Sequence, residues 1–363
     1  MIRVLQVVTY MGRGGLETML MNYYRHIDRN KVQFDFLVHR DFEADYDQEI
    51  RELGGRIYHV SRLVPWSSSY RAELKEFFHE HPEYRIVHVH QDCLSSVALQ
   101  CAEECGVPVR IAHSHSSNAA KNIKYPIKLH YMKQTPKYAT HMIACGKQAG
   151  DWMFFGNEYT IIRNAIDAEQ YQYSVDIDKQ VRLEFGLGEE IVVGHVGNFT
   201  VAKNHMFLLE VFREILKKNQ EARLLLVGGG EGMNKVKEKA KNMGIQDRII
   251  FTGVRSDVNR LMQAMNVFVF PSLYEGLPVT MIEAQAAGLP CIISDHISDE
   301  CIVTKDLVIR MALEKSPAQW AEFVLQQSHR QHENHSKEIQ EANYDISTAT
   351  KRLEDFYLKE AER

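Results

Sequence analysis

The chain has 363 residues, 45% of them apolar and 25% charged, a balance that suits a folded protein with an ordinary core. At roughly 150 residues per domain, this length predicts two domains. A formal net charge of -5 gives no general affinity for nucleic acid, which is excluded as an expected partner. No run approaches the ~18 apolar residues of a membrane span, and the apolar start Ile2–Val8 is too short for a leader. The expected location is cytoplasmic, with peripheral attachment to the inner face of the cell membrane left open. Cys93, Cys101, Cys105, Cys145, Cys291 and Cys301 show no C-x-x-C spacing and are expected as reduced thiols.

In chain order, short β-branched runs alternate with helical stretches. Ile2–Val8 predicts a strand, Glu17–Ile27 a helix, and Val32–Val38 and Ile86–Val89 two more strands. Ser95–Glu104 predicts a helix and Val107–Ala112 a strand. The segment 165–190 is polar, lacks a clear strand and predicts the domain boundary. The pattern then restarts: strands at Ile191–Val196, Leu224–Val227, Ile249–Phe251 and Val267–Phe270, with a helix at Phe207–Lys217. The tail from Ser336 predicts one helix with Tyr344, Leu353 and Phe356 on its apolar side. Such alternation implies an α/β chain of two doubly wound, mainly parallel sheets, 1–165 and 166–344, with ligands beyond the carboxyl ends of the strands.

Residues 271–290 carry the most chemistry. A strand ends at Phe270, a turn follows at Gly276, and Pro278 stands where a helix would begin. Gly288 and Pro290 close that helix. Its free N–H groups suit a phosphate. Glu275 lies in the turn and Glu283 more than a helical turn deeper. A carboxylate can take two hydrogen bonds from a vicinal diol, so Glu283 suits a ribose and Glu275 the hydroxyls of a sugar.

The block Glu275-Gly276-Leu277-Pro278, Glu283-Ala284 and Gly288-Leu289-Pro290 resembles the donor-binding signature of the family-4 glycosyltransferases. Gly14-Gly15-Leu16-Glu17 resembles that family's glycine loop, and Arg163-Asn164-Ala165-Ile166-Asp167 its Asn-Gly-Val-Asp element. Val196-Gly197 with Lys203-Asn204-His205 is similar to its phosphate-binding segment; Leu226–Gly230 and Phe251–Gly253 follow in the usual order. The resemblance implies the GT-B fold, with two Rossmann-like domains facing across a cleft and a C-terminal helix, about 345–363, crossing back to the first. It implies a UDP- or GDP-type sugar as co-substrate, retention at the anomeric carbon and no required metal. It also implies a glycan or polyprenol-linked acceptor in capsule or exopolysaccharide synthesis. Catalysis then falls to His115, Lys203 and Glu275, and donor binding to Gly14, Gly15, Asn198, Lys203, Gly229, Arg255, Glu275, Gly276, Leu277, Pro278, Val279 and Glu283. Asn198 stands where the family commonly has arginine, so one phosphate cation is missing, and Arg255 is the candidate substitute.

Other patterns compete with this reading. Gly12-x-Gly14-Gly15 lacks the third glycine of a dinucleotide fingerprint, because Glu17 occupies that position. His88-x-His90-x-Asp92 and His113-x-His115 each put two imidazoles on one strand face, a spacing open to a metal or to plain core packing. Of these, the resemblance assigns His115 to the reacting sugar. Residues 105–150 contain no Asp or Glu and carry Arg110, Lys121, Lys124, Lys128, Lys133, Lys137 and Lys147 among apolar residues. That basic stretch suits anionic lipid, a pyrophosphate-bearing acceptor or simple solvation. A nucleotide-sugar hydrolase or epimerase and a non-catalytic binding protein remain the alternatives to a transferase.

Overall fold

A computed structural model of the protein describes residues 1–116, 123 and 125–362. The chain divides into two compact units, Met1–Ile166 with Ile346–Arg363, and Asp167–Asp345.

The first unit is built on a parallel sheet of seven strands among the described residues. These are β1 (Ile2–Val7), β2 (Val32–Val38), β3 (Ile57–His59), β4 (Ile86–Val89), β5 (Val109–Ser114), β6 (His141–Ala144) and β7 (Thr160–Ile161), in the order β3-β2-β1-β4-β5-β6-β7. The second unit repeats the plan with β8 (Val192–Val196), β9 (Arg223–Val227), β10 (Ile249–Gly253), β11 (Val267–Phe270), β12 (Cys291–Ser294) and β13 (Val308–Met311), ordered β10-β9-β8-β11-β12-β13. Pairing is parallel throughout both sheets. Strand order reverses between β1 and β4 in one unit and between β8 and β11 in the other. In doubly wound sheets such a reversal is the usual place for a ligand crevice at the carboxyl edge.

The central strands β2, β4, β8 and β11 are buried along their whole length, as expected of sheets covered on both faces. Two cores follow. Val4, Phe34, Phe36, Ile111, Leu353 and Tyr357 pack in the first unit, and Leu208, Phe212, Leu224, Val269 and Trp320 in the second.

The tail differs from the single predicted helix. Asn343 takes a left-handed conformation, φ 61°, and splits it into Ser336–Glu341 and Ile346–Ala361. Tyr344 belongs to the second unit, where its hydroxyl donates to the Glu300 carbonyl at 2.8 Å. The later helix buries Leu353 and Tyr357 in the core of the first. The six cysteines form no disulfide with one another.

Candidate active site

In the second unit the loops after β8 and β11 are stitched together. The Asn204 carboxamide donates to the Pro271 carbonyl at 3.1 Å, and the Leu273 N–H donates to the Ala202 carbonyl at 2.7 Å. Asn204 adopts φ 53°, which turns the chain into the helix His205–Lys218. This stitching brings Lys203 and Glu275 into an ion pair, Nζ to Oε1 2.8 Å, with the ammonium 4.5 Å from the centre of the Phe270 ring. Their direct pairing is not visible in the local pattern, since the two lie 72 positions apart. The Lys203 stem runs against Gly197: a Cβ there would lie 3.0 Å from Lys203 Cε.

Pro278 is the N-cap residue, and the helix begins at Val279 rather than at the proline. No side chain caps it, so its first N–H groups are not occupied by a capping oxygen. Glu283, the fifth residue of that helix, is buried and accepts a hydrogen bond from the Tyr171 hydroxyl at 2.8 Å. Burial raises its carboxyl to about 6, with the Tyr171 bond opposing. Tyr171 was missed by the sequence analysis, although it lies just after the Asn164-Ala165-Ile166-Asp167 element. His195 was missed too. It is buried in β8, with Nδ1 on the Val269 carbonyl at 2.8 Å, and burial keeps its ring neutral.

Asn198, Gly229 and Arg255 follow β8, β9 and β10 respectively. Asn198 is exposed, and its neighbour Phe199 donates its N–H to the Gly229 carbonyl at 2.7 Å. Gly228 has φ 142°, and a side chain there would collide with the Gly197 carbonyl, so the β8 and β9 loops touch backbone to backbone. Arg255 is committed elsewhere. Its guanidinium bonds Asp257 at 2.7 and 2.8 Å and Glu184 at 3.0 Å, and Arg260 shares both carboxylates.

In the first unit, Gly14 caps the helix Gly15–His26. A Cβ on Gly14 would collide with the Glu17 carboxylate, which folds back over the helix start. The Glu17 carboxylate thus lies against the Gly14 backbone, and burial raises its pKa.

His88 and His90 on β4 and its end face His113 and His115 on β5 and its end. His88 Nε2 lies 3.1 Å from His113 Nδ1, and His90 Nδ1 lies 2.8 Å from His115 Nε2. Nitrogens of His88, His90 and His113 all lie within 4.8 Å of one another, a grouping close enough to hold a metal ion. Burial holds all four imidazoles well below their usual pKa, so the rings are neutral at pH 7. Asp92, at φ 43°, fixes the end of β5 by accepting the His115 N–H at 3.0 Å and the Ser116 hydroxyl at 2.7 Å.

Residues 13–170 match the family described as Glycosyltransferase Family 4, and residues 190–327 match Glycosyl transferases group 1. The glycosyltransferase EpsF of Bacillus subtilis (strain 168) is 34% identical over 89% of this chain and 86% of its own. The chain is a family-4 glycosyltransferase. A second relative of the transferase is the UDP-Gal:alpha-D-GlcNAc-diphosphoundecaprenol alpha-1,3-galactosyltransferase of Escherichia coli, 26% identical over 62% of this chain and 61% of that one. Anabaena HepE in complex with UDP-glucose superposes with a TM-score of 0.81 at 15% identity, covering 98% of this chain and 99% of that one. The transferase therefore has the GT-B fold.

The predicted basic stretch is only partly a surface feature. Arg110 bonds the Tyr138 and Val107 carbonyls, each at 2.8 Å, and pairs with Glu103. Lys147 pairs with Asp151. Lys121 and Lys124 lie outside the described residues. What remains is the helix Tyr125–Tyr138, with Met132, Thr135 and Tyr138 buried and Ile127, His130, Lys133 and Lys137 exposed. No described helix is long and apolar enough to cross a membrane.

Proposed function

We propose that this transferase moves a hexose-type sugar, with retention, from a nucleoside-diphosphate donor to a glycan or polyprenol-linked acceptor in surface polysaccharide assembly. A uridine diphosphate donor is the first choice. The observation that carries the reading is the gathering of Lys203 and Glu275 by the β8 and β11 loops, with buried Glu283 on the helix that follows. Glu283 holds the ribose and Glu275 orients the sugar. Lys203 and the N–H groups at Val279 stabilise the leaving diphosphate, where negative charge grows as the sugar gains oxocarbenium character. His115 in the first unit is the group assigned to the reacting sugar, and Gly14 and Gly15 supply backbone near the diphosphate. Support for the uridine donor and the lipid-linked acceptor comes from the names of the galactosyltransferase relative and of the HepE complex.

The test is a panel of nucleotide sugars scored for thermal stabilisation and for hydrolysis without acceptor. One uridine sugar is expected to stabilise the protein and to be hydrolysed slowly. Rapid, stoichiometric turnover without acceptor points instead to a hydrolase, and stabilisation without any turnover to a binding protein. An inverted anomeric product would overturn retention.

Activity is expected to survive EDTA, because every charge in the proposed mechanism is met by Lys203 or by backbone N–H groups. Loss of turnover on chelation and its return with zinc or manganese would move the chemistry to the His88, His90 and His113 group.

The exposed face of the helix Tyr125–Tyr138 is proposed to rest on anionic lipid. Charge reversal at Lys133 and Lys137 is expected to weaken binding to anionic liposomes, each lysine contributing about 1 kcal/mol at low salt. Donor hydrolysis is expected to change little. Wild-type protein that ignores such liposomes at low salt rules this contact out.

A further inference from the structure

The four histidines of the first unit are joined to two other side chains far apart in sequence. Gln6, on β1, is in register with His88 on β4. Its Oε1 lies 2.8 Å from His90 Nε2, and its Nε2 lies 3.4 Å from the Tyr357 hydroxyl on the C-terminal helix. That hydroxyl lies 2.7 Å from His88 Nδ1. Both ring nitrogens of His88 and both of His90 are thereby engaged. Two nitrogens at the far ends, His113 Nε2 and His115 Nδ1, are buried without a hydrogen-bond partner.

Proton positions follow from donor chemistry. A carboxamide oxygen only accepts, so His90 Nε2 carries a proton. A neutral imidazole has one N–H, so His90 Nδ1 is a lone pair and must accept from His115 Nε2. His115 then carries its proton on Nε2 and presents a bare Nδ1. The other arm runs in the opposite sense. Gln6 donates to the Tyr357 oxygen, Tyr357 donates to His88 Nδ1, and His88 Nε2 donates to His113 Nδ1. One amide therefore sets the polarity of both arms, and reversing it would reverse both.

We propose that Gln6 is a positioning residue that, through His90, holds His115 as the neutral Nε2–H tautomer, so that His115 Nδ1 accepts a hydrogen bond from a hydroxyl of the donor sugar. The proposal rests on the assignment of His115 to the reacting sugar, and it gives that site a chemical preference: a hydroxyl donor at this position, not a carbonyl or carboxylate. The same geometry disfavours a metal at His88, His90 and His113, because His88 and His90 have no nitrogen left to give.

The experiment combines long-range proton–nitrogen NMR of the nitrogen-15 histidine-labelled full chain with steady-state kinetics. His115 signals are assigned by their loss in His115→Gln. In the wild type, His115 Nε2 is expected protonated and Nδ1 bare. Gln6→Leu removes the acceptor and is expected to mix the two tautomers and to lower kcat about 10-fold, the low end of what loss of a histidine-orienting partner costs. Nucleotide affinity is expected to stay unchanged. Gln6→Glu keeps an acceptor oxygen facing His90 and is expected to restore both the single tautomer and the rate. A wild-type His115 protonated on Nδ1, or a tautomer indifferent to Gln6→Leu, overturns the ladder and leaves the transferase reading untouched. A tautomer that follows Gln6 while kcat does not overturns the sugar-side role of His115 alone. Shifts of the His88, His90 and His113 nitrogens on adding zinc overturn the proposal in favour of a metal. If Gln6→Leu fails to fold, Gln6→Glu against wild type decides, since loss of the single tautomer in that variant contradicts the assignment.

Discussion

Replacing Lys203 by alanine is expected to lower turnover roughly 10²–10³-fold, the scale for removing one group that stabilises charge in the transition state. The loss is large because Lys203 is the side-chain cation assigned to the leaving diphosphate. Asn198 is neutral where an arginine was expected, and Arg255 is held by Asp257 and Glu184. The Lys203–Glu275 pair complicates a simple reading, since alanine at 203 also strips a partner from a carboxylate whose side chain is 12% exposed. The double variant Lys203→Ala with Glu275→Gln separates the two effects. If an unbalanced Glu275 caused the defect, the double variant would recover; if the diphosphate lost its cation, it would not. No recovery is expected. Glu275→Ala alone is expected to lower turnover while sparing free nucleotide. Asn198→Arg is expected to tighten donor binding, because its exposed position leaves room for a guanidinium. Near-normal turnover in Lys203→Ala together with a severe defect in Arg255→Ala would show that the phosphate site lies elsewhere.

What could be read from the sequence followed physical locality. Strands such as Val32–Val38 and Val267–Phe270 are buried on both faces, and their β-branched and aromatic runs announced them. β3, β6, β7, β12 and β13 were not read: β3, β7 and β13 are short edge strands with polar or exposed positions, and β6 and β12 are internal runs of four residues, too short to carry a periodic signal. The turn and helix at 271–290 were legible because glycine and proline mark them directly. Partnerships between loops were not. Nothing in the local pattern joins Lys203 to Glu275, Arg255 to Glu184, Tyr171 to Glu283, or Gln6 to Tyr357. Each of these depends on which loops the sheet order places side by side. The His-x-His pairs show the same limit: spacing put two rings on one strand face, but only the pairing of β4 with β5 made them a ladder.

Glu283→Ala is expected to weaken nucleotide and nucleotide sugar alike, by roughly 1.5–3 kcal/mol, as for the loss of a hydrogen bond to a charged group. Both ligands share the ribose, so a defect confined to the sugar nucleotide would contradict the assignment. The structure adds a pH dependence and a second variant. Burial raises the Glu283 carboxyl to about 6, so in the ligand-free protein it is protonated below that pH and ionised above. Only the ionised form offers two acceptor oxygens to a diol, hence nucleotide affinity is expected to fall as pH drops through about 6. The stability effect has the opposite sign. A carboxyl whose folded pKa is raised favours folding when protonated; that contribution is complete below its ordinary value near 4.5 and is lost as pH rises through about 6. The difference corresponds to about 2 kcal/mol. Glu283→Gln keeps an oxygen for the Tyr171 hydroxyl and removes the buried charge. It is therefore expected to raise the melting temperature of the ligand-free enzyme at pH 8, to leave it unchanged near pH 4, and to bind nucleotide weakly at both. Calorimetric titration of UDP against wild type and Glu283→Gln between pH 4 and pH 8 checks the binding arm, and thermal melts over the same range check the other. A wild-type affinity that is flat across this range, or a Gln variant no more stable than wild type at pH 8, would mean that Glu283 is ionised without cost and holds something other than the ribose.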